Sequence, residues 1–276
     1  LIGTRFERPK VMEYAEILIT EQQNNEINGY GTHFAPTLRS IFAGFYGEPP
    51  FVYREAVSIG TLEKNRFCEV EDGVLFDNNM YCKRITLSIE TLLFEANERA
   101  KERQTTAFVH VVGLGLGVWK VSPHQNSLFI DTFVKRIIAL GIHLQSVSDI
   151  VFAYFGKNVS CGGYKSGDII PIHEHPKGGI KVYLINREPH TKLTGVDEGK
   201  LLVASYAWDS NALPGNEFWI GSLCGSGDPA AASSTQVAEL HNGHINKRVS
   251  GKYLRIAGTF GVIPFSKYRE VAQLSN

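Results

Sequence analysis

An apolar run at residues 107–112 opens directly into a glycine-rich stretch, and this junction constrains the fold of the 276-residue chain more than any other feature. Gly113, Gly115 and Gly117 follow the run at alternate positions. A short, mostly apolar run of this length is typical of a strand that is buried on both faces. Glycines let the backbone turn sharply and leave consecutive N–H groups unobstructed. The junction therefore predicts a buried strand followed by a turn that can hold a diphosphate.

The spacing of these glycines differs from the known nucleotide-binding motifs. It is neither the GxGxxG of dinucleotide-binding folds nor a P-loop, because no Gly-Lys-Ser or Gly-Lys-Thr follows. Dehydrogenase and ATPase functions are therefore poorly supported. A purely structural strand-to-helix turn, packed by Trp119, is the alternative to a phosphate site.

The elements around this junction alternate between helix and strand. Apolar residues three or four apart predict an amphipathic helix over residues 81–104 and a second helix over 128–140, which Gly141 ends. Strands are predicted at residues 149–155, 168–172, 180–185 and 201–206. A last helix is predicted from Asp228-Pro229 to Leu240, because an aspartate before a proline is a favoured helix start. This order predicts an α/β protein whose parallel sheet is covered on both faces.

The first 80 residues follow a different pattern. Helical spacing predicts a helix from Phe6 to about Asn25, and residues 30–80 are rich in Gly, Pro and aromatic residues without a sustained period. We therefore predict a mainly helical accessory region at residues 1–80 and a principal domain at residues 81–276. The aromatic-rich part could instead dock a protein partner, in which case the chain is an interaction scaffold. Its candidate residues are Phe34, Phe42, Phe45, Tyr46, Phe51 and Tyr53.

Composition excludes several classes of partner. The chain has 28 basic and 28 acidic residues, and no run of like charges suggests binding to nucleic acid or to an anionic membrane. Any anionic ligand must therefore be held locally. We expect a soluble protein in a reducing compartment, either the cytoplasm or a host cytosol, because no long apolar segment or leader is visible and the four cysteines are widely spaced. We also expect a monomer.

Carboxylates and amides crowd the segment after the predicted strand 201–206. Asp209, Asn211 and Glu217 lie in this segment, and Asp228 stands at the predicted helix start. Polar groups at the end of a strand are how α/β proteins build sites. Glycosidic chemistry uses one carboxylate to protonate the leaving group or activate water and another to stabilise an oxocarbenium-like centre. Asp209 is the strongest candidate for a catalytic carboxylate. The alternative is that these four residues have structural roles only, in a turn, as a helix cap or at the surface.

The order of these elements resembles the macrodomain family. The helix 81–104, the strand 107–112 and the loop 113–119 look like the helix, strand and phosphate loop of macrodomains, and the segment 201–217 looks like a strand and catalytic loop in permuted order. The closest resemblance is to the divergent macrodomain of MavL-type effector proteins, and it covers roughly residues 81–260. It implies a macrodomain-like three-layer α/β/α sandwich with a mixed sheet and a hydrolase that removes mono-ADP-ribose from protein side chains, arginine or others, with ubiquitin one substrate. A reader that binds ADP-ribose without cleaving it is the alternative.

The resemblance also assigns residues to roles. It implies catalysis by Asp209, Glu217 and Asp228 without a metal or another cofactor, and an ADP-ribosylated protein as the partner. It implies contacts between the ligand and Asn211, and contacts between Asn186 and Arg187 and the adenine. The diphosphate and the distal ribose would be held by Gly113, Leu114, Gly115, Leu116, Gly117, Val118 and Trp119.

Two further patterns are weaker. His173 and His175 could bind a metal as an HxH pair, but no third ligand stands at a meaningful spacing, and a solvated strand edge ended by Pro176 explains them better. Cys161 could expose a nucleophilic thiol, but no partner histidine is identifiable, and a buried thiol is the simpler interpretation.

Overall fold

The computed structural model describes residues 17–31, 38–62, 65–117, 120–156, 160–205 and 254–273. The helices are α1 (Leu38–Tyr46), α2 (Tyr53–Leu62), α3 (Asn78–Glu102), α4 (Gln125–Leu140) and α5 (Phe265–Gln273). The strands are β1 (Leu18–Thr20), β2 (Phe67–Glu71), β3 (Val74–Asp77), β4 (Ala107–Val111), β5 (Val147–Phe152), β6 (Ile169–Pro171), β7 (Gly179–Leu184), β8 (Leu201–Ala204), β9 (Arg255–Gly258) and β10 (Gly261–Pro264). Within these residues, no helix is both long enough and apolar enough to cross a membrane.

A five-stranded mixed sheet with the order β6-β7-β5-β4-β8 forms the centre of the fold. Strands β7, β5, β4 and β8 are parallel, and β6 pairs antiparallel with β7. All five residues of β4 are buried, which confirms the predicted buried strand. The α/β class predicted from the alternating pattern is therefore confirmed.

One face of the sheet packs against α3 and α4. Val109 and Val111 of β4 and Ile150 of β5 share a core cluster with Phe129 and Phe133 of α4. Both helices lie within or close to their predicted ranges. Gly141 follows α4 as predicted, but it has ordinary helical angles, and a side chain there would meet Ile172 at 2.7 Å. The reason for this glycine is therefore close packing and not a left-handed turn.

The described residues on the second face of the sheet include coil from the long connection between β7 and β8. Phe108 and Val151 on this face pack with Leu193 of that connection. The short 3-10 helix at Gly195–Asp197 in the same connection has no buried residue. The predicted helix from Asp228 to Leu240 lies outside the described residues. The three-layer sandwich therefore stays a prediction.

The N-terminal part contains strands where helix was predicted. The described end of the predicted helix 6–25 is wrong, because residues 18–20 form β1 and pair with β3 in a three-stranded sheet of order β1-β3-β2. Pairing with a partner more than 50 residues away overrides the local helical spacing. The described residues of the accessory region thus combine this sheet with α1 and α2, and a mainly helical region is not confirmed.

Buried ion pairs and a helix cap join the N-terminal sheet to α3. Asp77, the last residue of β3, accepts a hydrogen bond from the N–H of Met80 at 2.9 Å and so caps α3. The same carboxylate pairs with the buried guanidinium of Arg66 at 2.9 Å, and Arg66 also pairs with Glu48 at 2.8 Å. The first turn of α3 is therefore held by the sheet that precedes it.

His124 links the beginnings of α3 and α4 and makes stability depend on pH. Its Nε2 lies 2.9 Å from Oδ1 of Asn78, and its ring stands edge-on to Phe76 with 4.9 Å between the centroids. Burial lowers the pKa of His124. The unfolded chain therefore binds the proton more readily than the folded chain, so a neutral His124 ring contributes to the free energy of unfolding. This contribution is complete above the unfolded pKa of about 6.5 and is lost as pH falls through the folded pKa. We expect His124→Gln to reduce the loss of unfolding free energy on acidification from pH 7.5 to 5.

Denaturant titrations at a series of pH values measure this effect. Ile142→Ala is the control, because Ile142 is exposed and its side chain does not titrate. It should leave the pH dependence of the wild type unchanged. A full wild-type pH dependence in His124→Gln would show that the His124 ring does not carry the effect.

Candidate active site

The carboxyl ends of four parallel strands meet at one edge of the central sheet. The glycine turn follows β4, Tyr154 follows β5, Asn186 and Arg187 follow β7, and Ser205 follows β8. In open α/β sheets, ligands bind at this edge. The structure therefore brings the described part of the predicted phosphate loop to the same edge as the predicted adenine neighbours.

The three glycines of the turn meet different structural demands. A Cβ at Gly113 would meet Cδ1 of Leu116 at 2.7 Å, so any other residue there would force the Leu116 side chain to move. Gly115 has a φ of +73°, which favours glycine. Gly117 has no such φ, and no heavy atom of the described residues lies within 4 Å of a Cβ built there. Close packing therefore explains why glycine stands at position 113, and the positive φ explains it at position 115. Neither reason explains the glycine at position 117.

The leucines of the turn are anchored in the core. Leu114 and Leu116 pack against the cluster formed with α3 and α4. Behind the turn is a small cavity, in which the centre of a water molecule can occupy about 30 Å³. Its walls include Ile85, Ile89, Leu92, Leu114, Phe129 and Phe133. Because both leucine side chains pack against the core, the turn can offer its backbone to a ligand.

Hydrogen bonds fix the end of β8 beside the turn. The N–H of Val112 donates to Oγ of Ser205 at 2.9 Å, and the N–H of Ser205 donates to the carbonyl of His110 at 2.8 Å. Ser205 is the last described residue before residue 254. The predicted site residues Val118, Trp119, Asp209, Asn211, Glu217 and Asp228 lie outside the described residues.

Tyr154 is a site candidate that sequence reasoning missed. It has a φ of +65°, which costs a tyrosine free energy, and its side chain is 54% exposed. Its hydroxyl donates to Oε1 of Glu188 at 2.6 Å, and this hydrogen bond raises the pKa of Tyr154. A strained backbone that holds an exposed ring beside a ligand-binding edge points to function. The signal in the sequence was an aromatic residue at a strand end, two residues before Gly156.

The side chain of Arg187 is held by contacts close to the end of β7. Its guanidinium donates to the carbonyls of Glu188 and Thr191 and stands 5.3 Å from the ring centroid of Phe108. The side chain thus folds back over the second face of the sheet. Asn186 is exposed next to it.

The weaker sequence patterns have structural explanations. His173 is exposed, whereas His175 is buried and donates from Nε2 to the carbonyl of Val147 at 3.0 Å, so the two side chains do not share an environment. No cluster of three or more potential metal ligands occurs among the residues described. Cys161 is buried, and burial raises the pKa of its thiol to about 11, which makes a nucleophilic role unfavourable.

The sheet, the glycine turn and the polar strand ends define an α/β protein with a candidate ligand site at the carboxyl edge of its parallel strands. The chain belongs to the MavL-like ADP-ribosylhydrolase family, because the family model described as "ADP-ribosylhydrolase MavL-like" matches residues 1–271. The sequence-level resemblance to MavL-type proteins is thereby confirmed at the level of the family. The match also includes the first 80 residues, which that resemblance left out.

Two curated relatives come from Drosophila melanogaster. The chain is 45% identical over 270 residues to "ADP-ribosylarginine hydrolase CG3568", covering 93% of this chain and 51% of that protein. It is 40% identical over 279 residues to "ADP-ribosylarginine hydrolase CG2909", covering 97% of this chain and 54% of that protein. The chain therefore spans about half the length of the curated relatives it matches.

Proposed function

We propose that this chain hydrolyses the bond between ADP-ribose and a modified protein side chain, and that this side chain is arginine. The observation that carries the proposal is the glycine turn beside Ser205 at the carboxyl edge of the sheet, in a chain of the ADP-ribosylhydrolase family. The names of the two relatives support arginine as the modified residue.

The geometry of the edge supports one placement of the ligand. The backbone N–H groups of residues 113–119 would hold the diphosphate, which agrees with a chain that has zero formal net charge. Gly117 allows close approach by a phosphate, because among the described residues no heavy atom lies within 4 Å of a Cβ built there. The exposed ring of Tyr154 would stack on the adenine, with Asn186 beside it. Arg187 would stabilise the residues after β7 through its hydrogen bonds to the carbonyls of Glu188 and Thr191.

The reaction would be hydrolysis at C1 of the distal ribose. A water molecule attacks C1, the bond from C1 to the guanidine nitrogen breaks, and the leaving guanidine takes up a proton. Asp209, Glu217 and Asp228 are the candidate carboxylates for activating the water and stabilising the oxocarbenium-like centre, with Asn211 near the ribose.

Several finer features of the proposal rest on the resemblance to macrodomains. We propose a permuted, macrodomain-like domain at residues 81–276 and an accessory region at residues 1–80. Ubiquitin as the modified protein, a role as an exported effector and a monomeric state belong to the same proposal.

The first test separates ligand binding from hydrolysis. Thermal denaturation with ADP-ribose, NAD, ATP and AMP should show the largest increase in melting temperature with ADP-ribose, because a ligand that binds only the native state stabilises it. Incubation with a protein mono-ADP-ribosylated on arginine should then release free ADP-ribose. Binding without release from any linkage would favour the reader, and no binding would favour the scaffold with its aromatic surface.

Replacing Tyr154 should weaken ADP-ribose binding. Stacking of an aromatic side chain on a base contributes about 1–3 kcal/mol, so Tyr154→Ala should raise the Kd by about tenfold. Tyr154→Phe retains the ring but loses the hydrogen bond to Glu188, and it should raise the Kd less. Calorimetry measures both values. Equal affinity of Tyr154→Ala and the wild type would remove Tyr154 from the site.

A further inference from the structure

His110 is a fully buried histidine directly before the glycine turn. It lies on the second face of the sheet, three residues before Gly113, and its register partners are Val151 of β5 and Ala204 of β8. The strand that leads into the proposed phosphate site therefore carries a polar ring inside the protein.

One nitrogen of this ring binds a segment from another strand. Nε2 lies 2.6 Å from the carbonyl oxygen of Arg187, and because a carbonyl only accepts, Nε2 carries the proton. Arg187 follows β7, and β5 lies between β7 and β4 in the sheet. The hydrogen bond therefore spans β5 and joins the segment after β7 to the strand before the glycine turn.

The other nitrogen of the ring makes a histidine at this position less stable than an apolar side chain would be. Nδ1 is buried and has no hydrogen-bond partner among the described residues. An unpartnered buried acceptor is destabilising, and an apolar side chain would avoid this loss. His175 differs, because its Nε2 donates to Val147 and its Nδ1 accepts from the N–H of Lys177 at 3.2 Å. Packing alone thus explains a buried histidine less well at position 110 than at position 175.

The segment that His110 holds carries the other side of the candidate site. Asn186, Arg187 and Glu188 belong to it, and Glu188 accepts the hydrogen bond that orients Tyr154. A shift of the Arg187 backbone would therefore move the carboxylate that holds the Tyr154 ring. We propose that His110 is a positioning residue, which fixes the segment 185–188, and through it Tyr154, relative to the glycine turn. This inference rests on the proposed ADP-ribose site.

Two substitutions distinguish loss of the hydrogen bond to Arg187 from loss of the imidazole ring itself. The amide nitrogen of glutamine reaches the position of Nε2 and can donate to the Arg187 carbonyl. The amide of asparagine ends near the position of Nδ1 and cannot. We expect His110→Asn to raise the Kd for ADP-ribose by about fivefold to tenfold, which corresponds to one lost hydrogen bond, and His110→Gln to stay within about twofold of the wild type.

Hydrogen exchange supplies a measurement that does not depend on the ligand. The amides of residues 185–188 should exchange faster in His110→Asn than in His110→Gln, when each variant is measured the same number of degrees below its own melting temperature. His175→Gln is the control, because His175 binds Val147 at the amino end of β5, away from the candidate site. It should lower the melting temperature without changing the Kd or the exchange of residues 185–188.

The outcomes distinguish this inference from the function on which it rests. Wild-type affinity and wild-type exchange in His110→Asn would overturn the positioning role while leaving the ADP-ribose site intact. Equal losses of affinity in His110→Asn and His110→Gln would also overturn it, since only one of them loses the donor to Arg187. Failure of the wild type to bind ADP-ribose would overturn the proposed function and this inference with it.

Discussion

Asp209→Ala should abolish the release of ADP-ribose from a modified protein while leaving the chain folded. Removal of a general acid or base slows a reaction by about 10²- to 10⁴-fold, so we expect a rate constant for release lower by at least about 10². Affinity for ADP-ribose should change far less, because the diphosphate and the adenine are proposed to bind elsewhere at the edge. Single-turnover release, measured with excess enzyme, reports this rate constant without a contribution from product dissociation.

The control for this substitution is another acidic residue. Glu198 is exposed and lies three residues before β8, at the amino ends of the parallel strands. Glu198→Ala should therefore release ADP-ribose at the wild-type rate. Unchanged release by Asp209→Ala would remove Asp209 from catalysis and leave Glu217 and Asp228 as the candidates.

Gly117→Glu should prevent ADP-ribose from binding without unfolding the protein. The residue has no left-handed φ and no near neighbour among the described residues, so a side chain fits the unliganded turn. A carboxylate there would face the diphosphate, and repulsion between like charges at close range costs several kcal/mol. We expect a Kd at least about 100-fold higher and a melting temperature within a few degrees of the wild type.

Two variants accompany this measurement. Gly117→Ala adds only a methyl group and should weaken binding less, in proportion to how closely the phosphate approaches the backbone. Gly44→Glu, in α1, places the same charge at another exposed glycine with no near neighbour among the described residues and should bind normally. Normal binding by Gly117→Glu would show that the diphosphate does not lie on this turn.

The central sheet was predictable because its strands are mostly apolar, although β4 contains His110 and β5 contains Ser148 and Asp149, and because its helices are strongly periodic. Buried strands such as β4 leave a clear signal in any chain, and the helices α3 and α4 begin only a few residues earlier than predicted. β1 was not predictable, since its strand structure depends on pairing with β3, which the local pattern around Ile19 does not show.

The candidate site was predictable only where its residues are contiguous in the sequence. The glycine turn is contiguous, so its position after β4 followed from the sequence. Tyr154 and His110 were missed because their roles depend on partners far along the chain, Glu188 and the Arg187 carbonyl, 34 and 77 residues away. Neither a positive φ at Tyr154 nor a buried unpartnered nitrogen at His110 leaves a mark in the sequence.

The most direct test is to compare release of ADP-ribose from proteins modified on arginine, serine and glutamate. The proposed function predicts that the wild-type chain releases free ADP-ribose from the arginine-linked substrate much faster than from the other two, and that Asp209→Ala releases it at least about 10²-fold more slowly than the wild type. Tight binding of ADP-ribose without release from any of the three substrates would contradict hydrolysis.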